Sequence, residues 1–282
     1  MLIIIITHRK CRTITNLITS NTIVLSMIYS IFQLNSDFHG LQSNWLTNQP
    51  ACFFRAYCYT AVCISVPTSY VVQAISRLFF SVFYKHKSLL TYRTHIYLII
   101  LNYLIAILGA LGPMFVPNAY GLEIESRLCL NTTKVFLSSF LAVTIAYLIP
   151  LSIIIPIYGI IFLHAQKSTN RVTHLNTNPV LEFSTTAAVI MTTPKIIIPN
   201  YKRELKLMRN IIILIMILTT AGLPYLILVI WQVITKEILP PEYLYLLALI
   251  IITGCFSIKM ITIFSMNKEI KNITWHLIRK LI

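Results

Sequence analysis

The residues able to do chemistry in this chain are few, and most of them exclude a reaction. Cysteines stand at Cys11, Cys52, Cys58, Cys63, Cys129 and Cys255 with no CxxC pair, which argues against a zinc ribbon or a dithiol redox motif. No HExxH, GxSxG or P-loop signature occurs, and no two carboxylates share an apolar run, so the reading contains no catalytic constellation, no cofactor and no metal site. Among the charges in or beside long apolar runs are Arg77, Glu204 and Lys259. In such a setting a charge has to be paired, hydrated, or long enough to reach an interface. For Lys259 the expected solution is the nearer interface, with an intramembrane partner such as Asn21 as the alternative. Asn131-Thr132-Thr133 is a glycosylation sequon, so a glycan is expected at Asn131 if that segment faces outward. Asn272-Ile273-Thr274 also matches and is expected to stay unmodified. Pro150 and Pro224 interrupt apolar runs and predict kinks, because proline removes a helix hydrogen bond.

These residues must be positioned by apolar elements. Of 282 residues, 57% are hydrophobic, 11% are Asp, Glu, Lys or Arg, and the mean hydropathy is +0.77. A soluble domain carries about 25% charged residues, so a water-solvated surface is out of reach and a lipid-facing one is expected. A helix needs about 20 apolar residues to cross roughly 30 Å of hydrocarbon. Six stretches qualify: 17–34, 53–83, 96–116, 135–163, 209–234 and 243–264. The first is the least apolar and carries Asn21, Ser26 and Gln33, which should face other helices rather than lipid. A seventh, 1–7, is a stub too short to span. No strand-period alternation recurs, which disfavours a β-barrel. The expected class is an all-α membrane protein, with spans in 1–266 and a cytoplasmic amphipathic helix over 267–282, where Ile270, Ile273, Leu277, Ile278 and Leu281 recur at helical spacing among basic residues.

Loop charge orients the bundle. If the Arg9–Arg12 segment is cytoplasmic, 18 of the 23 Lys and Arg residues lie on that side, four lie opposite, and Lys259 is within the last span. Asp37, Glu123, Glu125, Glu237 and Glu242 fall on the opposite side. Basic loops stay in the cytosol during insertion, so the C-terminus is expected inside. The net charge of +15 is then an insertion signal and an attraction to anionic lipid, and nucleic acid is not expected as a partner. In this topology Cys52 and Cys129 both face the oxidising side, so a disulfide between them is chemically allowed. Arg77 follows Cys52 by 25 residues, about 37 Å along a helix, which puts it at the opposite membrane edge. Tyr158 follows Pro150 by eight residues and Glu204 precedes Pro224 by 20.

This set resembles the rhodopsin-like (class A) G-protein-coupled receptors. The Cys52–Arg77, Pro150–Tyr158 and Glu204–Pro224 spacings match the family's third, fifth and sixth helices. The stretches HRKCRTITN and QAISRLFF look like those of divergent invertebrate orphan receptors. The resemblance implies a seven-transmembrane bundle whose first helix is incomplete here, with the stub as its end and the rest expected upstream. It implies a Cys52–Cys129 disulfide, an Arg77–Glu204 latch in the inactive state, and a switch comprising Arg77, Tyr158, Glu204 and Pro224. It also implies a plasma-membrane receptor that binds an extracellular ligand and activates heterotrimeric G proteins. Ser76-Arg77-Leu78 replaces the family's Asp-Arg-Tyr, Asn21 its sodium-site Asp, and Gly222 its Trp before the sixth-helix proline. The last span reads Lys259-Met260-Ile261-Thr262-Ile263 in place of Asn-Pro-x-x-Tyr. Tyr59 stands where amine receptors carry Asp, so a peptide, drawn by the acidic outer loops, is favoured over an amine. Tyr59, Trp231 and Tyr245 are the expected cavity aromatics. The rival readings are a small multi-span transporter or channel, and a truncated receptor that does not signal.

Overall fold

In a computed structural model of the chain, residues 13–41, 49–123, 128–176, 201–235, 241–266 and 279 are described, with side chains left aside at 39–41, 49, 168–176, 201–211, 233, 263, 264 and 266. The stub 1–12 and, Arg279 excepted, the amphipathic segment 267–282 lie outside the described residues. Six helical rods run in chain order. These are α1 (Ile14–Leu41), α2 (Gln49–Ser81), α3 (Tyr92–Met114), a composite of α4 (Phe136–Val143), a π turn (Thr144–Leu148) and α5 (Ile149–Asn176), then α6 (Tyr201–Thr235) and α7 (Glu242–Met266). Each rod contains a membrane-length apolar window. The expected spans are thus all present, with helix extending past their ends because amphipathic and polar turns continue beyond the hydrocarbon-length core.

Helix α2 is the hub. Its apolar window is 72% buried within the protein, against 22–44% for the other five. The main core forms around it, where Tyr29 of α1, Val66 and Tyr70 of α2, Ile154 of α5, and Leu214 and Leu218 of α6 meet. The reverse pattern on α3 leaves Tyr97, Ile100, Leu101, Leu104 and Leu108 exposed, a surface suited to lipid rather than water.

The weakly apolar α1 works as a span because its polar groups are used locally or face inward. Ser20, Ser26 and Ser30 each donate to the carbonyl four residues back, at 2.7, 2.7 and 3.0 Å, which satisfies them without a second helix. Asn21, Ser26 and Gln33 are buried, as the sequence requires. The Nε2 of Gln73 donates to Thr22 Oγ1 at 2.6 Å and ties α1 to α2. The π turn immediately precedes Ile149 and the buried Pro150. A proline lacks the N–H that would close the preceding turn, and a widened turn is one way to accommodate that.

One element was not expected. Between α3 and α4, Tyr120–Glu123 (β1) and Leu128–Asn131 (β2) pair antiparallel, with Tyr120 opposite Asn131 and Glu123 opposite Leu128. Asn118, at φ 57°, turns the chain into this hairpin in a conformation that asparagine tolerates better than most residues.

Candidate ligand cavity and the Arg77 cluster

The hairpin is anchored from three directions. Cys52, near the start of α2, is bonded to Cys129 of β2 with Cα atoms 5.2 Å apart. Tyr120 packs edge-on against Phe53 at 5.4 Å, and its hydroxyl donates to the Ala110 carbonyl at 2.7 Å. Burial pushes the Tyr120 phenol up to about 12, partly offset by hydrogen bonding toward Thr60. From β1, Glu123 turns inward and is 1% exposed. Its carboxylate accepts from the Thr133 amide at 3.2 Å, from Thr133 Oγ1 at 2.7 Å and from the Tyr245 hydroxyl at 3.1 Å. Thr133 Oγ1 and the Tyr245 hydroxyl are also bonded to each other. A buried carboxylate is tolerable only when its lone pairs are used in this way.

Beneath the hairpin lies a cavity of about 170 Å³. Its wall takes Tyr29 from α1, Tyr59, Thr60, Cys63 and Pro67 from α2, and Leu130 and Asn131 from β2. Ala142, Val143, Ala146 and Tyr147 come from α4 and the π turn, Leu218, Ala221, Gly222 and Tyr225 from α6, and Leu249, Ile252 and Phe256 from α7. None of these is charged. The Tyr29 and Tyr59 hydroxyls lie 3.0 Å apart, Tyr59 donates to Gln33 Oε1 at 2.8 Å, and Gln33 Nε2 donates to Asp37 at 2.9 Å. Tyr225 donates to the Asn131 carbonyl at 3.3 Å. Tyr147 donates to the Thr219 carbonyl at 3.2 Å, and its ring fills the notch left by Gly222, where a Cβ would come within 2.3 Å of it. The notch lies two residues before Pro224, which is inside α6.

Of the three aromatics expected at a cavity, Tyr59 lines it. Tyr245 does not; it is 4% exposed and holds the hairpin down through Glu123. Trp231 is also outside the lining. A helical aromatic's face is set by its neighbours, which hydropathy does not report. Tyr29, Tyr147 and Tyr225 were missed. The available signals were Tyr225 directly after Pro224, and Tyr29 two turns past Asn21. The sequon asparagine, Asn131, is buried in the hairpin. Asn131 is 6% exposed, its Nδ2 donates to the Ser138 carbonyl at 3.1 Å, and its Oδ1 accepts from Ser138 Oγ at 2.5 Å.

At the other end of α2, Arg77 is half-buried and lies beside Tyr158 of α5. The two face a small void with Tyr70, Gln73, Ile154, Leu214, Ile215 and Leu218. So the spacing of two expected switch residues does converge in space. The side chain of Glu204, the expected latch partner, lies outside the described residues. Lys259 is corrected as to its partner. It is 4% exposed, and among the described residues its Nζ has no hydrogen-bond partner. It sits 4.0 Å above the Phe256 ring and 5.6 Å from that of Tyr70, while the Asn21 Oδ1 accepts from Tyr103 at 2.8 Å.

A helical membrane bundle with a disulfide-tied hairpin over a cavity at one end and an arginine–tyrosine contact at the other is a receptor architecture. The model of the 7 transmembrane receptor (rhodopsin family) matches residues 1–261. The chain belongs to that family. No curated protein matches it.

Proposed function

We propose that this multi-pass receptor resides in the plasma membrane with its C-terminus cytoplasmic, binds an extracellular ligand beneath the β1–β2 hairpin, and activates heterotrimeric G proteins at its Arg77 end. The observation that carries the proposal is that one helix, α2, bears both sites: Cys52, Tyr59 and Cys63 at the cavity, and Arg77 facing Tyr158. The skewed distribution of Lys and Arg supports the orientation. Pro224 is the hinge of α6, next to the Gly222–Tyr147 notch, so ligand contact at Tyr147 acts beside the point where α6 bends. Glu204 latches to Arg77 in the resting state, and a ligand opens that latch only by binding the open state more tightly. The segment 267–282 lies along the inner leaflet.

A peptide is the ligand class that the acidic loops favour over an amine. Asp37 and Glu242 support it by being exposed, whereas Glu123 is buried and bonded and does not. Nothing observed favours the transporter or channel reading for a member of this receptor family.

The test is basal and ligand-driven nucleotide exchange on purified heterotrimeric G proteins, with the full chain in nanodiscs. Arg77→Ala is expected to abolish exchange, and Glu204→Gln to raise its basal level. Exchange unchanged in Arg77→Ala overturns the role given to Arg77. No exchange from the unaltered chain with any G-protein class marks a non-signalling receptor.

A further inference from the structure

We infer that the cavity beneath the hairpin takes a small, uncharged, predominantly apolar molecule, one with the bulk of an alkylbenzene or a monoterpenoid, rather than a peptide side chain bearing charge or an amine. The inference rests on reading this cavity as the receptor's ligand site, and it replaces the peptide that loop charge alone favours with an uncharged ligand, because the cavity's lining carries no charge.

Three observations carry it. First, no Asp, Glu, Lys, Arg or His lines the cavity. Among described side chains the nearest carboxylate on the hairpin, Glu123, has its lone pairs committed to Thr133 and Tyr245. An ionised ligand group would be stripped of water with nothing to pair it, the most costly kind of burial. Second, the polar atoms that do face the cavity are already bonded to protein. Tyr29 and Tyr59 bond each other and Gln33, Tyr147 and Tyr225 donate to backbone carbonyls, and both ends of the Asn131 amide are held by Ser138. Each phenol oxygen keeps a lone pair for at most a weak extra acceptor role, so a single ligand hydroxyl is tolerated and an array of amides is not. Third, the volume is about 170 Å³. An apolar cavity of about 150 Å³ accommodates benzene, so the space suits a compact molecule and not a peptide backbone. The hairpin above is fixed by a disulfide and by the Glu123 network, so enlarging the space requires breaking both.

Cys63 lines this cavity and is half-buried, with a free thiol, which makes it a reporter of occupancy. The experiment uses the full chain in nanodiscs with Cys11, Cys58 and Cys255 changed to Ala, and follows alkylation of Cys63 by N-ethylmaleimide. The probes are tert-butylbenzene and phenyltrimethylammonium, which have the same shape and differ by a carbon-for-nitrogen exchange that adds a charge. At saturating concentration tert-butylbenzene is expected to slow alkylation about tenfold or more, the protection given by a ligand at roughly nine times its Kd. The cation at equal aqueous concentration is expected to leave the rate within about twofold, because an unpaired charge is excluded. Ala146→Phe, or the milder Ala221→Leu, fills the cavity and is expected to remove the protection. Protection by the cation or by a basic peptide equal to that by tert-butylbenzene overturns the inference, and so does alkylation that tert-butylbenzene leaves unchanged. Because alkylation needs no G protein, failure of the nucleotide-exchange test leaves this result standing, and the reverse also holds.

Discussion

At the Cys52 end of α2, Glu123, Thr133 and Tyr245 bond one another and Tyr225 bonds Asn131, tying the hairpin to α6 and α7. Toward the Arg77 end, the Tyr70 hydroxyl, Arg77 Nη1 and Lys259 Nζ are buried without a hydrogen-bond partner among the described residues. The contrast extends to charge. Among described side chains the only carboxylates are Asp37, Glu123 and Glu242, and all three belong to the hairpin end. A satisfied network holds one geometry, which suits a preformed receptacle. On the proposed function, the bonded network lies where the ligand is received.

Breaking the receptacle should have the largest effect. Cys52→Ala with Cys129→Ala removes a link spanning 77 residues of sequence and is expected to cost roughly 2–5 kcal/mol, read as a large fall in thermal midpoint and loss of cavity binding. Glu123→Ala follows at about 2–3 kcal/mol, since it strands the donors of Thr133 and Tyr245, while Tyr245→Phe costs about 1 kcal/mol. A double-mutant cycle between them should return a coupling above about 0.5 kcal/mol, and additive losses would mean the network is not one unit. Gly222→Ala is expected to cost about 1–3 kcal/mol because its methyl overlaps the Tyr147 ring. In a Tyr147→Ala background that cost should largely vanish; a cost that persists would place the ring elsewhere.

The Arg77 end sharpens the comparison through a change of opposite sign. Lys259→Met replaces an amine without a hydrogen-bond partner by an apolar group of similar length, and is expected to leave stability unchanged or raise it by about 1 kcal/mol, measured by thermal unfolding. A loss of about 3 kcal/mol or more would reveal an anionic partner and remove the contrast.

What the sequence made legible follows from what hydropathy and spacing encode. Runs of apolar residues fix the spans, and the 25 residues from Cys52 to Arg77 fix how far apart two ends of one helix lie, whereas the Cys52–Cys129 pairing and the grouping of Arg77 with Tyr158 came from the family resemblance. Facing was not. Tyr59 and Tyr245 read alike as aromatics in helices, yet one lines the cavity and the other clamps the hairpin through Glu123. The sequon at Asn131 gives acceptor chemistry without burial, and the hairpin that buries it is built from two four-residue strands too short to leave a periodic signature. Lys259 was read from its side-chain length, whereas packing of Tyr70 and Phe256 over it decides its depth.

The most direct test of this asymmetry is hydrogen exchange measured by mass spectrometry on the full chain in nanodiscs, with and without a nucleotide-free heterotrimeric G protein. The account expects the hairpin region, 119–133, to exchange slowly and equally in both samples, and the Arg77 region, 74–85, together with the base of α6 at 201–211, to gain protection when the G protein is present. Protection gained at the hairpin alone, or no change around Arg77, would contradict it.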